Sequence, residues 1–344
     1  MLIAHGGAKM QNDDEYKKSD CMKGLCVLVL MLSFGWRCAA HNDTLVVLFW
    51  NVENFFDYVD DGTGESDSEW SSRGSRRWTK KRFQTKCDDI AKSIIWIGDK
   101  YGRMPDIIGL AEVENRNVLY KLLNNTLLRK CGYGLVHYDS GDRRGIDVAL
   151  LYRKSVYRKV SSSILTPKYD GVKFSTRDIL QVCLQDNIGA QVNAIVNHHP
   201  SKFGGSESSG GRRHAAMVSL RVMCDSLLKY NPGVPVVAMG DFNDSPDGEQ
   251  FEILNGVLIN KADSLFELGR GTIRYQGRWD LIDMFLVSEE LNENSLMEII
   301  EIPFLMTYEK KYPGIKPLRT YSGPRYLGGV SDHCPIVLLI RGIY

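Results

Sequence analysis

The chain has 344 residues, of which 43% are hydrophobic and 25% are charged, and its formal net charge is +1. This composition is typical of globular proteins, and the length suits one large or two small domains with a substantial core. The charge near zero argues against a generic polyanion binder held by bulk electrostatics, so affinity for phosphate must come from local clusters.

The first 40 residues are interpreted as a leader. Residues 1–21 are polar and patternless, which indicates an over-extended gene start ahead of Met22. From Met22 a lysine, an apolar run over residues 25–36 and then small residues form the layout of a secretory signal peptide. The apolar run is too short for a membrane span. The sequence predicts a secreted or periplasmic mature domain of residues 41–344, whose net charge is zero because the leader carries five Lys/Arg and four Asp/Glu.

The mature chain alternates apolar strands with amphipathic helices, which favours a single α/β domain with its chemistry at strand ends. Strands are predicted within residues 45–51, 105–115, 145–153, 190–200, 234–244, 281–288 and 333–340, and helices within residues 82–98, 118–128 and 212–230. Long loops are predicted over residues 57–78, 201–211 and 306–329, and loops of that length are usually functional lids or disordered.

Five cysteines remain in the mature chain, an odd number, and no pair has the spacing of a metal site. We interpret them as buried apolar residues rather than as a disulfide framework, with one or two bridges left open. They are Cys87, Cys131, Cys183, Cys224 and Cys334.

Carboxylate, amide and imidazole side chains follow the predicted strands, each directly after an apolar run. Hard oxygen donors with few histidines suit Mg²⁺, Mn²⁺ or Ca²⁺ rather than structural zinc. At so many successive strand ends they are hard to explain as turn residues, and they meet if the strands gather around one cleft. The set is Asn51, Glu53, Glu112, Glu114, Asp147, Asn197, His198, His199, Asp241, Asn243, Asp244, Asp280, Asp283, Asp332 and His333.

Four of these segments resemble the motifs of the endonuclease/exonuclease/phosphatase (DNase I-like) superfamily, in the same order, over about residues 45–340. They are "WNVEN", "PDIIGLAEVEN", "GDFND" and "SDHCP", with Ala111 where the family usually has glutamine. The resemblance implies a four-layer α/β/β/α sandwich with two mixed β-sheets packed face to face and helices outside. Together with the leader it predicts a secreted bacterial member that hydrolyses phosphate esters with Mg²⁺ or Mn²⁺.

The resemblance also implies roles for the site residues. Glu112 is the expected metal ligand, with Asn51 and Asp332 nearby. Glu114 is either a second ligand or a residue outside the ligand shell, and the second interpretation is favoured. His333 is the expected base or phosphate-polarising histidine.

Asp283 would orient His333. Asp241 would position or deprotonate the nucleophilic water, and Asn243, two residues further and on the same side of an extended chain, would bind a phosphate oxygen. An Asx-turn after the strand is the alternative for this pair.

The second catalytic histidine of the family aligns with His198, and His199 is the competing choice. Asp147 either orients His198 or faces solvent. Substrate contacts are expected from residues beside these motifs and in basic loops, namely Asn197, Ser201, Arg144 and Arg212. Basic loop residues are also often simply solvated.

The leading hypothesis is a monomeric, secreted phosphodiesterase that acts as a nuclease on a phosphate-ester substrate. A phosphomonoesterase for substrates such as inositol phosphates and a sphingomyelinase-like phospholipase are the alternatives with the same core. Residues 302–306 are the one apolar segment that could enter a membrane. A non-catalytic binding module would have lost Glu112, Asp241, Asn243 or His333, and all four are present.

Overall fold

The protein is described from a computed structural model. The structure describes residues 44–62, 64–202 and 206–342, without the side chains of residues 206–209. The predicted leader lies outside the described residues. Thr44–Tyr344 forms one compact unit.

Twelve strands form two large sheets. In chain order they are β1 (Thr44–Phe55), β2 (Ile107–Val113), β3 (Tyr133–His137), β4 (Asp147–Arg153), β5 (Tyr157–Leu165), β6 (Ile179–Asp186), β7 (Gln191–His198), β8 (Val236–Asp241), β9 (Ile259–Asn260), β10 (Asp283–Val287), β11 (Ser295–Ile299) and β12 (Ile336–Arg341). The first sheet has the order β11-β12-β1-β2-β4-β3, and the second has the order β9-β10-β8-β7-β6-β5.

Each sheet has one parallel pair at its centre, β1 with β2 and β7 with β8, and all the other pairs are antiparallel. The carboxyl ends of a parallel pair lie at the same edge of the sheet. The antiparallel neighbours β4, β10 and β12 begin at that edge. This topology explains why residues after some strands and before others come together.

The helices are α1 (Lys80–Lys100), α2 (Arg116–Asn124), α3 (Ser206–Tyr230), α4 (Asp263–Glu267) and α5 (Glu289–Asn292), with short 3₁₀ turns at Leu127–Lys130, Glu249–Leu254 and Pro303–Leu305. Thr79 caps α1, because its side chain accepts a hydrogen bond from the Arg82 N–H. The apolar stripe of α1 packs on the outer face of the first sheet, where Ile90 and Ile94 join Leu48 and Trp50 in one buried cluster.

The two sheets pack face to face through a second buried cluster, in which Phe49 of the first sheet lies with Val196, Met239 and Phe285 of the second. Each side chain of this size contributes about 1.5–3 kcal/mol when fully buried. The sheets approach closely at Gly109, where an added Cβ would lie 2.6 Å from the Met239 sulfur. The four-layer sandwich predicted from the resemblance is confirmed.

The structure corrects several local expectations. The predicted loop at 306–329 contains two short hairpins, Met306–Glu309 with Gly314–Pro317 and Tyr321–Ser322 with Arg325–Tyr326. Residues 206–211 of the second predicted loop begin α3. The sequence pattern did not predict β3, β5, β6, β9 or β11. Four of these are edge strands, and edge strands bury less apolar surface, so their periodicity is weak.

Of the five cysteines that the structure describes, four are buried, and all five are free thiols. None of the described helices is long and apolar enough to cross a membrane.

Candidate active site

The predicted catalytic residues meet at the edge where the central strands of the second sheet end. In the ladder, Asp241 at the end of β8 pairs with His198 at the end of β7 on one side and with Asp283 at the start of β10 on the other. His333 reaches them from the segment that leads into β12. All four residues are buried.

Asp241 is the centre of this group. Its Oδ2 accepts a hydrogen bond of 3.0 Å from Asn51 Nδ2. The same oxygen lies 3.6 Å from His198 Nε2 and 3.9 Å from His333 Nε2. Asp241 Oδ1 accepts from the backbone N–H of Asn243 at 2.9 Å. One buried carboxylate therefore lies close to an amide, two imidazoles and a backbone donor.

His333 is fixed by both its ring and its backbone. Its Nδ1 lies 2.8 Å from Asp283 Oδ2, as the resemblance implied. Its backbone N–H donates to Ser331 Oγ at 2.9 Å, and that hydroxyl donates to the Asn51 carbonyl at 2.6 Å. Trp50 Nε1 donates to the His333 carbonyl at 3.0 Å. These bonds leave the Nε2 edge of His333 facing Asp241.

The surroundings drive the protonation states of these groups apart. Burial lowers the pKa of His333, but Asp283 overcomes this effect and holds that pKa well above its ordinary value. Burial, followed by Arg177, lowers the pKa of His198 well below its ordinary value. Burial and then Asp283 raise the pKa of Asp241 to about 7. At neutral pH the site thus holds an imidazolium, a neutral imidazole and a carboxyl near its midpoint.

Glu112 lies on the neighbouring side of the cleft, near the end of β2. Its carboxylate accepts from the Asn54 N–H at 2.7 Å and from both terminal nitrogens of Arg144, at 3.2 and 3.3 Å. Burial opposes ionisation, but Arg144 lowers the pKa of Glu112, which therefore stays ionised.

Four residues beside the cleft have left-handed backbone, with φ of 62° at Glu112, 47° at Glu53, 51° at Asn54 and 51° at Asn243. This conformation costs about 1–3 kcal/mol at a non-glycine residue and clusters at functional sites.

The sequence did not predict the hydrogen-bond network around Glu53, which also holds Asp332 at the edge of the cleft. Arg319 Nη2 lies 2.8 Å from Glu53 Oε1 and 3.1 Å from Asp332 Oδ2. The Thr320 N–H donates to Glu53 Oε2 at 3.0 Å, and buried Lys86 donates to both the Glu53 carbonyl and Thr320 Oγ1. The bonded residues of this network are separated by up to 267 positions, and no spacing pattern signals such contacts.

The donor set fits a hard divalent cation. The Asp332 carboxylate lies 3.9 Å from His333 Nε2, and the Glu112 carboxylate is held by Arg144 on the neighbouring side of the cleft. Oxygen donors of this kind are the ligands that Mg²⁺ and Mn²⁺ prefer. The side-chain amide of Asn51 already makes two hydrogen bonds: its Oδ1 accepts from the Glu53 N–H at 3.0 Å, and its Nδ2 donates to Asp241. One lone pair of its Oδ1 remains for a ligand.

Two predicted residues lie in other environments. Asp147 accepts hydrogen bonds from the Ser140 N–H and hydroxyl and lies 3.1 Å from His137 Nε2. This corrects the expectation that Asp147 orients His198, which sits in the other sheet.

Glu114 accepts from the Asp57 N–H at 2.6 Å and lies with Asp61 and Asp67 in a separate acidic cluster. Burial raises the pKa of Glu114 to about 8. Its contacts are with the 57–67 segment rather than with Glu112, which places it outside the group around Glu112.

The choice between the two neighbouring histidines follows from their contacts. His198 Nε2 faces Asp241, whereas the His199 ring packs edge-on against Phe242 with centroids 4.9 Å apart. Asn243 leaves the extended conformation, so its side chain does not follow strand alternation. Instead its Nδ2 donates to the His199 carbonyl at 3.0 Å, and the Asx-turn alternative describes its backbone.

The expected substrate contacts are dispersed. Asn197 is completely buried and donates to the Met239 carbonyl at 3.3 Å, so it belongs to the sheet interior. Ser201 is exposed beyond the end of β7. Arg144 reaches Glu112, and Arg212 lies over the Phe174 ring at 5.8 Å.

Comparison with known proteins agrees with this geometry. Residues 46–342 match the model of a family described as the endonuclease/exonuclease/phosphatase family. The chain belongs to this family. Its members are hydrolases that act on phosphoester bonds. No curated protein matches the chain.

Several solved structures share the fold at low sequence identity. The human Nocturnin catalytic domain with bound sulfate superposes with a TM-score of 0.55 and 16% identity, covering 88% of this chain and 95% of that one. A mannosyl-6-phosphatase from Bacteroides thetaiotaomicron has a TM-score of 0.55 and 14% identity, with 86% of this chain and 99% of that one covered. D. rerio TDP2 complexed with a single-strand DNA product has a TM-score of 0.51 and 17% identity, with 87% of this chain and 99% of that one covered.

Proposed function

We propose that the chain is a secreted, Mg²⁺- or Mn²⁺-dependent phosphodiester hydrolase and that it acts as a nuclease. The observation that carries the proposal is the Asp241 carboxylate. It has a pKa of about 7 and lies within 4 Å of both His198 and His333, whose pKa values are shifted in opposite directions. Phosphoester hydrolysis needs such a base for water next to a donor for the phosphoryl oxygens.

Each residue has a distinct task in this proposal. Asp241 accepts the proton of the attacking water, and Asn51 fixes the carboxylate by its 3.0 Å hydrogen bond. The His333 imidazolium donates from Nε2 to a phosphoryl oxygen, since Asp283 occupies Nδ1. His198 donates as a neutral imidazole and adds no charge that would compete with the base.

Glu112 and Asp332 would hold the metal ion, with Asn51 beside them. A bound Mg²⁺ or Mn²⁺ would supply charge neutralisation on the phosphoryl and leaving oxygens. Arg144 contacts Glu112 and lowers its pKa, and Arg319 contacts Asp332.

The related structures support a phosphoester substrate, since their descriptions include a sulfate, a sugar phosphatase and a single-strand DNA product. The phospholipase alternative loses its only sequence feature, because Ile302 and Leu305 of the apolar segment are buried in the core. The phosphomonoesterase alternative uses the same residues and differs only in substrate.

Purified protein of residues 41–344 tests the proposal on plasmid DNA, RNA, sphingomyelin and inositol phosphates with Mg²⁺ or Mn²⁺. We expect cleavage of nucleic acid that EDTA abolishes and that a His333→Ala variant lacks. Release of phosphate from inositol phosphates with no cleavage of nucleic acid would replace the nuclease with a phosphomonoesterase. No hydrolysis of any of the four substrates would contradict the proposal.

Secretion is tested separately in the native host. Mass spectrometry of the exported protein should find an N-terminus near residue 40 or 41. A soluble protein that retains Met22 and the apolar run behind it would contradict the proposed leader.

A further inference from the structure

A dense group of basic side chains lies where α1 begins. Residues 69–82 contain six Lys or Arg and one Asp or Glu, an excess of five positive charges in a chain whose net charge is +1. The one acid, Glu69, is bound by Arg76 at 2.7 Å. Four of the basic side chains are exposed and make no ion pair with any residue that the structure describes. They form the basic patch, namely Arg73, Arg77, Lys80 and Lys81.

The position of these charges is unfavourable for the helix itself. Lys80, Lys81 and Arg82 are the first three residues of α1, and its first turn contains no acid. The unsatisfied N–H groups make the N-terminus of a helix positive, so acids are favoured there and cations are disfavoured. The first acids of α1 are Asp88 and Asp89, about two turns further on. A local rule that is broken by exposed residues, without a gain in packing, indicates a role in binding rather than in stability.

Two arginines between and beside the patch residues attach the start of α1 to the hairpin over residues 321–326. The Arg82 guanidinium lies over the Tyr326 ring at 4.3 Å. Arg76 donates to the Gly323 carbonyl at the tip of the hairpin at 2.6 Å. A cation over an aromatic face and a charged donor on a carbonyl both stabilise such a contact. The basic patch and the hairpin therefore belong to one surface.

The hairpin also borders the cleft. Its residue Ser322 lines a cavity of about 300 Å³ together with Arg319 and Asp332. Asp332 lies 3.9 Å from His333 Nε2, so this cavity is next to the candidate active site. Arg325, which pairs with Ser322 across the hairpin, is exposed. Since neighbouring strands lie about 4.8 Å apart, a two-stranded hairpin separates the cavity from the patch by on the order of 10 Å.

We propose that the basic patch binds the phosphate backbone of a polynucleotide whose reacting phosphate lies in the cleft, several nucleotides away. This inference rests on the nuclease proposed above and specifies its substrate as a long chain. Lys and Arg neutralise backbone phosphates regardless of the base sequence, so the patch adds affinity without adding sequence preference.

The contact between hairpin and patch favours a polynucleotide over an anionic membrane. A strand that is bound at the reaction centre must leave the cleft along one of its walls, and the hairpin with exposed Arg325 is such a wall. A strand that crosses the hairpin reaches the basic patch directly. A membrane would need no connection between the patch and the cleft.

Fluorescence anisotropy in EDTA tests the patch by binding alone, so the result does not depend on hydrolysis. The probes are labelled dithymidylate, whose single internucleotide phosphate occupies the cleft, and labelled dodecathymidylate, which also reaches the patch. The triple variant Arg73→Gln, Lys80→Gln, Lys81→Gln should bind the dodecathymidylate at least about tenfold more weakly than the wild type does. Its affinity for the dithymidylate should equal that of the wild type. For the long probe, the slope of log K against log salt should become less steep by about 2, at about 0.7 for each lost phosphate contact.

A second triple variant provides the matched control. Lys154→Gln, Lys159→Gln, Lys168→Gln removes the same number of positive charges from exposed positions in and around β5, at the edge of the second sheet. It should bind both probes as the wild type does. The patch variant should unfold at no lower temperature than the wild type, because glutamine relieves the unfavourable charges at the start of α1.

Equal losses of dodecathymidylate affinity in the two triple variants would show that net charge alone acts and would overturn the proposal. No binding of the dodecathymidylate by the wild type, or unchanged binding by the patch variant, would also overturn it. If the patch variant keeps that binding but no longer binds phosphatidylglycerol vesicles that the wild type binds, the partner is a membrane instead. Patch-dependent binding by a protein that hydrolyses no nucleic acid would retain the surface and remove the proposed nuclease.

Discussion

Among the described residues, two buried histidine–aspartate pairs are joined by a hydrogen bond; one links the segment before β12 to β10 of the second sheet, and the other lies within the first sheet. His333 Nδ1 is 2.8 Å from Asp283, and His137 Nε2 is 3.1 Å from Asp147. In the first pair the carboxylate has one oxygen without a hydrogen-bond partner among the described residues. In the second pair the backbone N–H and the hydroxyl of Ser140 both donate to the other carboxylate oxygen, Asp147 Oδ1.

The difference teaches that the pairing itself does not make a catalytic site. The ring of His333 also faces Asp241 and Asp332, two further carboxylates in a cleft with Glu112 nearby. The pair at His137 lies where β3 ends and β4 begins, and the further acid near its ring, Asp139, is largely exposed. A buried carboxylate oxygen without a partner calls for an explanation, and the cleft beside Asp283 provides one.

The largest expected effect is a loss of kcat/KM that occurs when the first pair is changed and not when the second pair is changed. His333→Ala and Asp283→Ala should each lower kcat/KM by about 10²–10⁴-fold, the range of general acid–base assistance. The double variant should be little worse than either single variant, because the two residues act as one unit. His137→Ala should change kcat/KM less than about threefold. Additive losses at the first pair, or an equal loss at His137, would break the distinction.

The pH profile sharpens the comparison. Activity should rise with pH as Asp241 loses its proton near pH 7, because the base must be ionised. It should fall again at higher pH, where the His333 imidazolium loses the proton that Asp283 stabilises. In Asp283→Ala the falling limb should move to lower pH, and in Asp147→Ala it should stay in place. A profile that rises monotonically would show that His333 acts as the base instead.

Stability should respond at both pairs. Removal of the imidazole in His137→Ala leaves the buried Asp147 carboxylate with only its Ser140 donors. An incompletely bonded buried group costs about 1–3 kcal/mol, so chemical denaturation should show a loss of that size. His333→Ala should cost at least as much, because Asp283 Oδ1 has no partner among the described residues and Oδ2 would lose the one that it has. A smaller loss in His333→Ala than in His137→Ala would contradict this description of the two carboxylates.

A smaller gain in stability is expected at Asp241. The folded pKa of about 7 lies above the value of about 3.9 expected in an unfolded chain, so this carboxyl loses stabilising free energy as pH rises between those values. Asp241→Asn removes that loss. The free energy of unfolding of the variant should therefore be about 0.5–2 kcal/mol higher than that of the wild type, and the variant should be inactive. The gain should be larger at pH 8 than at pH 5, and a gain independent of pH would contradict the ionisation assigned here.

The sequence could predict seven of the twelve strands of the two sheets and the residues at their ends, because both follow from short continuous apolar runs that stop at polar residues. Asp283 and His333 were found in this way, together with the family motifs. The role of Asp147 was wrong because a strand-start position does not reveal which sheet the strand joins. Arg177, which donates to the His198 carbonyl, and Arg319 were missed because loops without periodicity bring them to the site.

The central claim is that Glu112 holds a metal ion on which phosphodiester hydrolysis depends. The most direct measurement is the Mg²⁺ titration of bis(p-nitrophenyl) phosphate hydrolysis by the wild type, Glu112→Gln and Glu114→Gln, with calorimetric Mg²⁺ binding in parallel. Glu114→Gln is a matched control, since it makes the same change two residues away in a separate acidic cluster. We predict that Glu112→Gln folds but loses both Mg²⁺ binding and hydrolysis, while Glu114→Gln keeps both. Unchanged Mg²⁺ affinity in Glu112→Gln, or hydrolysis that persists in EDTA, would contradict the account.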